Sequence, residues 1–305
     1  MSARNCLVVL DATGQLGCSV ARAVAASGEF EVRCVTSDVL NEKSQDLGAG
    51  NVDVVPCDLN DRSQLEKVLR GAHACFLNTS TDFENPGCVD VEIAHGCLVA
   101  DVCKSENVRH VIFTSQLHSK NICSIMARHL VAKAEIERYM RDIDLPLTCL
   151  ILPVYYQDLC GVLRPRTADG LTYNLEIPMG TTPLDMISTE DIGPIILAVL
   201  RRREPFLNKV LSVCGDKLTP REMAQILSKH LRPKLFKDKQ LTTLDFHKRR
   251  ASDFSGSADW ANMFQFFQRV DQRYNLSATK EIHPSLQSFE DWVKSNTTML
   301  VSVMC

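Results

Sequence analysis

The 305-residue chain predicts an α/β fold: a doubly wound parallel sheet followed by a smaller C-terminal α/β lobe. Three observations predict it. Short apolar runs rich in β-branched residues recur along the first half, as strands buried on both faces require. Amphipathic helical segments separate those runs at a spacing that needs right-handed βαβ crossovers. The first run also leads directly into Asp11-Ala-Thr-Gly-Gln-Leu-Gly17, a glycine turn that opens a helix.

Taken in order, Cys6–Leu10 is a strand, and the glycine turn and a helix follow it. Strands are expected at Glu31–Thr36, Val52–Pro56, Ala74–Leu77, His110–Thr114 and Thr148–Leu152. Helices are expected at Asn41–Leu47, Ser63–Leu69, Val89–Ser105 and Arg128–Arg141. After Pro153 the alternation becomes irregular. Helices are expected there at Thr189–Arg201, Pro220–Leu231, Ala258–Phe267 and Ser288–Lys294. This divides the chain into a nucleotide-binding lobe over 1–153, a smaller lobe over 154–297 and an apolar tail over 298–305 that is frayed or packed on a partner. A ligand is expected in the crevice at the carboxyl ends of the strands.

Composition narrows the function classes. The chain is 45% hydrophobic, and 34 Lys plus Arg against 37 Asp plus Glu give a net charge of −3, which excludes a disordered chain. There is no basic excess of the kind that nucleic-acid binding needs. The triplets Arg201-Arg202-Arg203 and Lys248-Arg249-Arg250 read as solvated faces. The opening apolar run is too short for a secretory signal or a membrane span. The 13 cysteines are odd in number, lack a C-x-x-C pair and sit mostly in apolar runs. They read as reduced packing residues in a cytosolic or nuclear protein, with no metal site.

In a G-x-x-G-x-x-G turn, the first glycine makes the bend and the second lets a pyrophosphate reach the backbone. The third lets helix and strand pack closely. Positions 11, 14 and 17 here are Asp, Gly and Gly. Asp tolerates positive φ better than most residues. Its carboxylate nevertheless repels a phosphate by roughly 4 kcal/mol at about 4 Å and an effective dielectric near 20, about a thousandfold in affinity, unless it turns to solvent.

The glycine turn, Cys57-Asp-Leu-Asn-Asp61, His129-Leu-Val-Ala-Lys-Ala-Glu-Ile-Glu137, Thr148-Cys-Leu-Ile-Leu-Pro153, Met186-Ile-Ser-Thr-Glu-Asp-Ile-Gly-Pro194, Leu218-Thr-Pro-Arg-Glu222 and Ala258-Asp-Trp-Ala-Asn-Met-Phe264 together resemble the landmarks of NmrA-like proteins. These are atypical members of the short-chain dehydrogenase superfamily, and the likeness is nearest to the family's animal redox-sensor members. The resemblance implies a Rossmann lobe that binds NADP(H), regulation of partner proteins by NADPH level, and a homodimer. It places Asp11, Ala12, Thr13, Gly14, Gln15 and Leu16 at the pyrophosphate, Asp58 and Leu59 beside the adenine, and Thr79 and Ser80 near the ribose. Lys133, Tyr155 and Tyr156 fall near the nicotinamide. Asp58 or Thr79 acting only as turn or helix caps, and the two tyrosines acting only as lobe walls, are the alternatives.

Two departures bear on function. NADP-binding relatives carry an arginine after the second strand, where this chain has Ser37; the lost charge-assisted contact is worth about 1.5–3 kcal/mol. Asp38 would favour NAD(H) if it points inward, as acidic ligands of the ribose hydroxyl do. Lys43 is within sequence reach of a phosphate. The superfamily's Tyr-x-x-x-Lys proton-transfer pair is here His129-x-x-x-Lys133. This leaves Lys133, His129 and Ser115 as catalytic candidates without the phenol. The leading expectation is a regulatory protein acting through protein contacts, with reduced dinucleotide affinity. A reductase or quinone-type oxidoreductase and a scaffold without nucleotide binding are the alternatives.

Overall fold

The computed structural model describes residues 4–48, 52–167 and 169–304. In chain order the elements begin β1 Asn5–Val9, α1 Gln15–Ser27, β2 Phe30–Thr36, α2 Glu42–Gly48, β3 Asp53–Pro56, α3 Arg62–Leu69, β4 Ala74–Leu77 and α4 Cys88–Ser105. Next come β5 His110–Ser115, α5 Ser119–Cys123, α6 Arg128–Asp142, β6 Leu147–Ile151, β7 Val154–Tyr155, a 3-10 turn at Tyr156–Cys160, β8 Arg166–Thr167, β9 Thr172–Leu175 and β10 Leu184–Ile187. The rest is α7 Thr189–Arg201, α8 Arg203–Phe206, β11 Val210–Ser212, β12 Asp216–Leu218, α9 Pro220–His230, β13 Leu235–Asp238, α10 Thr243–Arg250, α11 Ser257–Arg269, α12 Leu276–Ile282, α13 Phe289–Ser295 and α14 Thr297–Met304.

The chain forms two compact units, and the division differs from a single cut at 153. The first unit takes the residues up to His118, His129–Ile151 and Thr189–Leu211; the second takes Ser119–Arg128, Leu152–Ser188 and the residues from Ser212 onward. The reason lies in α7. Its amide at Gly193 donates to Ser19 Oγ of α1 (3.0 Å), and Ser19 Oγ donates to the Glu190 carbonyl (3.2 Å). A β-carbon on Gly193 would stand 2.2 Å from the Ser19 carbonyl oxygen. The two helix backbones therefore touch, which only glycine permits.

In the first unit, seven strands form one sheet in the order β11-β6-β5-β4-β1-β2-β3. The pairings from β1 to β6 are all parallel, for example Val9 beside Phe76 and Phe76 beside Ile112. The chain reverses its direction of travel across the sheet at β1, the switch point where doubly wound folds bind ligands. Val8, Leu10, Cys75, Phe113, Leu147 and Cys149 pack fully buried, or nearly so, on one face against α3, α4 and α6. The doubly wound fold is as the strand and helix pattern predicts.

The second unit holds two small sheets, β12-β10-β7 and β13-β9-β8. Four of its described helices, α9, α10, α12 and α13, begin on side-chain caps. Thr219 and Glu222 form a reciprocal box at α9 with Pro220 in the first turn, and Ser288 accepts from the Asp291 amide at α13. Thr297–Met304 is helical, and Leu300 within it is fully buried, so the described tail is folded into this unit; Cys305 lies outside the described residues. The basic triplet at 248–250 is a solvated face only in part: Lys248 and Arg249 are exposed, whereas Arg250 is buried. Arg249 Nε donates to Oε1 of the buried Glu176 (2.8 Å) and Arg250 lies 3.2 Å from its Oε2, because a buried carboxylate needs cations around it. Arg201 pairs with Glu29 on the surface of the first unit.

Among the described residues no helix is long and apolar enough to cross a membrane, and no cluster could hold a metal. No described cysteine is disulfide-bonded. Burial pushes the thiols of Cys34 and Cys214 up to about 12 and that of Cys57 to about 11, so they pack as apolar groups.

Candidate functional site

A cleft of about 310 Å³ opens at the carboxyl ends of β1, β2 and β4, within the first unit. Val35, Leu59, Leu77 and Val99 give it apolar walls, and Asp11, Thr13, Ser37, Asp58, Thr79 and Ser80 also line it. Half of the residues expected at a cofactor are thus brought together: Asp11, Thr13, Ser37, Asp58, Leu59, Thr79 and Ser80. Ala12 and Leu16 are buried, so only their backbones can face a ligand at the turn, and Gln15 is the exposed first residue of α1.

The turn itself is built as glycine spacing requires. Gly14 is the N-cap of α1 with no side chain capping it, which leaves the first helical amides open to an anion. A β-carbon on Gly17 would lie 2.0 Å from the Asp11 carbonyl oxygen and 2.8 Å from the Ala12 Cα. Asp11 occupies the left-handed region at φ +61°, the conformation for which relatives use glycine. Its carboxylate does not turn to solvent. Oδ2 lies 2.5 Å from where a β-carbon on Gly14 would be, so the carboxyl group covers the opening that the second glycine creates.

A short relay fixes it there. Thr114 Oγ1 donates to Asn78 Oδ1 (2.7 Å), and Asn78 Nδ2 donates to Asp11 Oδ2 (3.1 Å). Burial pushes the Asp11 carboxyl above its ordinary range, against the Asn78 bond and the charges of Lys133 and Lys43. The favourable dipole of the helix N-terminus therefore acts on an anion that belongs to the protein.

Lys133 is equally committed. Its Nζ donates to Glu92 Oε1 (2.6 Å), to the Thr79 carbonyl (2.8 Å) and to Thr79 Oγ1 (3.4 Å). Glu92, whose side chain is 1% exposed, also accepts from the hydroxyls of Thr79 and Thr81. Burial pushes the Glu92 carboxyl up, but the charge of Lys133 and the three donors outweigh it and hold the group below its ordinary value. His129 sits edge-on to Phe83 with ring centres 5.6 Å apart. Ser115 is 1% exposed, and its hydroxyl has no hydrogen-bond partner among the described residues.

Several expectations are corrected. Asp38 is exposed and its Oδ1 accepts from the Leu40 amide (2.9 Å). This turn of its own backbone keeps it off the cleft lining, where a ribose ligand would stand. Tyr156, expected near the nicotinamide or as a wall, is a core residue of the second unit: it is fully buried, packs edge-on against Phe289, and donates its hydroxyl to the Gln287 carbonyl (3.2 Å). Tyr155 also belongs to the second unit, and burial raises its phenol. Asp58 is exposed, and its Oδ1 accepts from the amide and side chain of Asn60 (2.9 Å each). Sequence reading missed Asn78, Glu92 and His95. The last two are one turn apart on the inner face of α4 amid apolar neighbours, a spacing that could have marked them.

The apolar half of the cleft fits a flat base. The phosphate half does not fit a dinucleotide: the lining contains no Lys or Arg, Asp11 fills the turn, and Lys133 is bound to Glu92.

The NmrA-like family model matches residues 4–293. An NmrA-like family domain-containing protein of Dictyostelium discoideum is 24% identical over 73% of this chain and 76% of its own length. The NmrA-like oxidoreductase cpsB of Aspergillus campestris is 25% identical over 70% of this chain and 69% of its own. Among solved structures, NmrA, a negative transcriptional regulator, in its NADP complex superposes with a TM-score of 0.84 at 17% identity, covering 99% of this chain and 98% of that one. A second complex of that protein holds NAD. The sheet order, the helix-opening glycine turn and a family match over nearly the whole length agree, and the chain belongs to the NmrA-like family.

Proposed function

We propose that this protein is a non-catalytic NmrA-like regulator that acts through protein contacts, with its NADP(H) and NAD(H) affinity much reduced. The observation that carries the reading is the Asp11 carboxylate lodged over Gly14. Proton transfer of the superfamily type also lacks its phenol, since His129 stands one turn before Lys133 and Lys133 serves Glu92. A redox-sensor role, regulatory partner proteins, a homodimer and a cytosolic or nuclear location are part of the same proposal, supported by the family resemblance and, for the location, by the described cysteines, which form no disulfide and are mostly buried. A ligand shifts the surfaces offered to a partner only through its differential affinity for two states.

The names of relatives favour a second reading, an NAD(P)-dependent oxidoreductase: the Aspergillus relative is called one. Calorimetric titration with NADPH and NADH, followed by turnover assays on a carbonyl and quinone panel, separates the two. Weak binding without turnover is expected. Submicromolar NADPH binding, or hydride transfer to any panel member, would overturn the reading.

A further inference from the structure

We propose that the cleft of the first unit takes a nucleoside-like ligand whose 5′ substituent is neutral or cationic, and that Asp11 selects against phosphate at that position. The inference deepens the proposed function, because it names the ligand class of the same cleft.

Three carboxylates line the cleft, Asp11, Asp58 and Glu92, and neither lysine nor arginine does. Glu92 is neutralised by Lys133 at 2.6 Å, and Asp58 is exposed, with one oxygen engaged by Asn60. Asp11 differs from both. Its side-chain hydrogen bond comes from the neutral amide of Asn78, and it is held in the interior of the turn. Lys133, bound to Glu92, and Lys43 act on Asp11 only through their charge, and neither forms an ion pair with it among the described residues; a desolvated carboxylate left in that way is an unfavourable arrangement, and a ligand that brings a positive group to it relieves the cost. A ligand that brings a phosphate increases it.

Size and shape point the same way. Val35, Leu59, Leu77 and Val99 form walls suited to a flat aromatic base, and a volume of about 310 Å³ is at the lower end of the range for small-molecule sites. That space suits a nucleoside better than a dinucleotide. Asp11 lines the same cavity on the side where the helix-opening turn lies, so it meets whatever group extends from the base and sugar toward α1. The Thr114–Asn78 relay holds the carboxylate in place from two strands. A ligand therefore encounters a fixed anion rather than a mobile side chain.

The test is a charge series on one scaffold, titrated by calorimetry into the full chain: 5′-amino-5′-deoxyadenosine, adenosine and AMP, with NADPH alongside. For the wild type the amine is expected to bind at least about tenfold tighter than adenosine, and AMP at least about tenfold weaker. In Asp11→Asn and in Asp11→Gly, the spread between amine and AMP should fall to within about threefold, while adenosine itself changes little. Unchanged circular dichroism of both variants keeps a folding defect apart from a loss of selectivity. The proposal is overturned if AMP matches or exceeds adenosine in the wild type, if the spread survives in both variants, or if no nucleoside binds. Weak NADPH binding together with any of those results leaves the regulatory reading standing. Submicromolar NADPH binding removes that reading directly.

Discussion

Replacing Lys133 by methionine strands Glu92, and the structure sets the size of the effect. Glu92 has a side chain 1% exposed and loses the one cation paired with it among the described residues, 2.6 Å away, while the hydroxyls of Thr79 and Thr81 remain as donors. In the wild type the folded carboxyl is held below its ordinary value, so its contribution is present at neutral pH and is lost as pH falls through that lowered value. In Lys133→Met, burial is left to dominate and the sign reverses: the folded group sits above its unfolded value of about 4.3 and takes a proton instead of staying charged. Protonation caps the penalty at pH 7 near 1.36 kcal/mol for each unit above that value, about 3.7 kcal/mol in all. At pH 5 the same arithmetic leaves about 1 kcal/mol, so acidification should recover as much as about 2.7 kcal/mol. At roughly 2–4 °C per kcal/mol for a unit of this size, the melting temperature at pH 7 should drop by roughly 7–15 °C. Calorimetry and far-ultraviolet circular dichroism are the assays of choice. Trp260 and Trp292 both lie in the second unit, so tryptophan fluorescence serves as a control for the part left unaltered. The double variant Glu92→Gln, Lys133→Met should regain much of the loss. A penalty under about 1 kcal/mol at pH 7, or one that is the same at pH 5 and pH 7, would refute the assignment of Glu92 and Lys133 as a mutually dependent buried pair.

Gly17→Ala should severely destabilise the first unit, by more than about 4 kcal/mol, because its new methyl group would meet backbone atoms of Asp11 and Ala12 rather than a side chain that can move; a chain that melts within a few degrees of the wild type shows that the turn can open. Glu176→Gln should cost the second unit about 3–5 kcal/mol by leaving the buried Arg250 short of its counter-charge. Chemical denaturation followed by tryptophan fluorescence measures it, and a cost under about 1 kcal/mol would show that Asp253 alone suffices.

The sequence was most legible where a backbone requirement selects one residue type. Gly17 could be recognised because two chain segments collide with any side chain there, and the helix at Thr189–Arg201 was readable residue for residue because its apolar face repeats at helical spacing. Tertiary direction was not legible. That Asp11 accepts positive φ follows from its type, but where its carboxylate goes is decided by Asn78, which is 67 positions away in sequence. Asp38 looked like a ribose ligand by position, and a local bond to Leu40 decided otherwise. Tyr156 looked like a nicotinamide contact or a wall because nothing in its neighbourhood shows that Phe289 and Trp292 will enclose it. Helix α7 reads as part of the C-terminal lobe until its glycine is matched with Ser19.

That last contact carries a consequence for synthesis. The first unit needs Thr189–Leu211, which supplies both the partner of α1 and the β11 edge of the large sheet, and these residues follow two segments that belong to the second unit. A nascent chain that has just passed Ile151 has six strands in hand and still exposes the β6 edge and the apolar face of α1. An uncovered edge of this kind invites pairing with other chains. Chaperone dependence should therefore be greatest for chains stalled between Ile151 and Thr189, and a deletion ending in that window should aggregate even though every residue of the glycine turn and cleft has already been made.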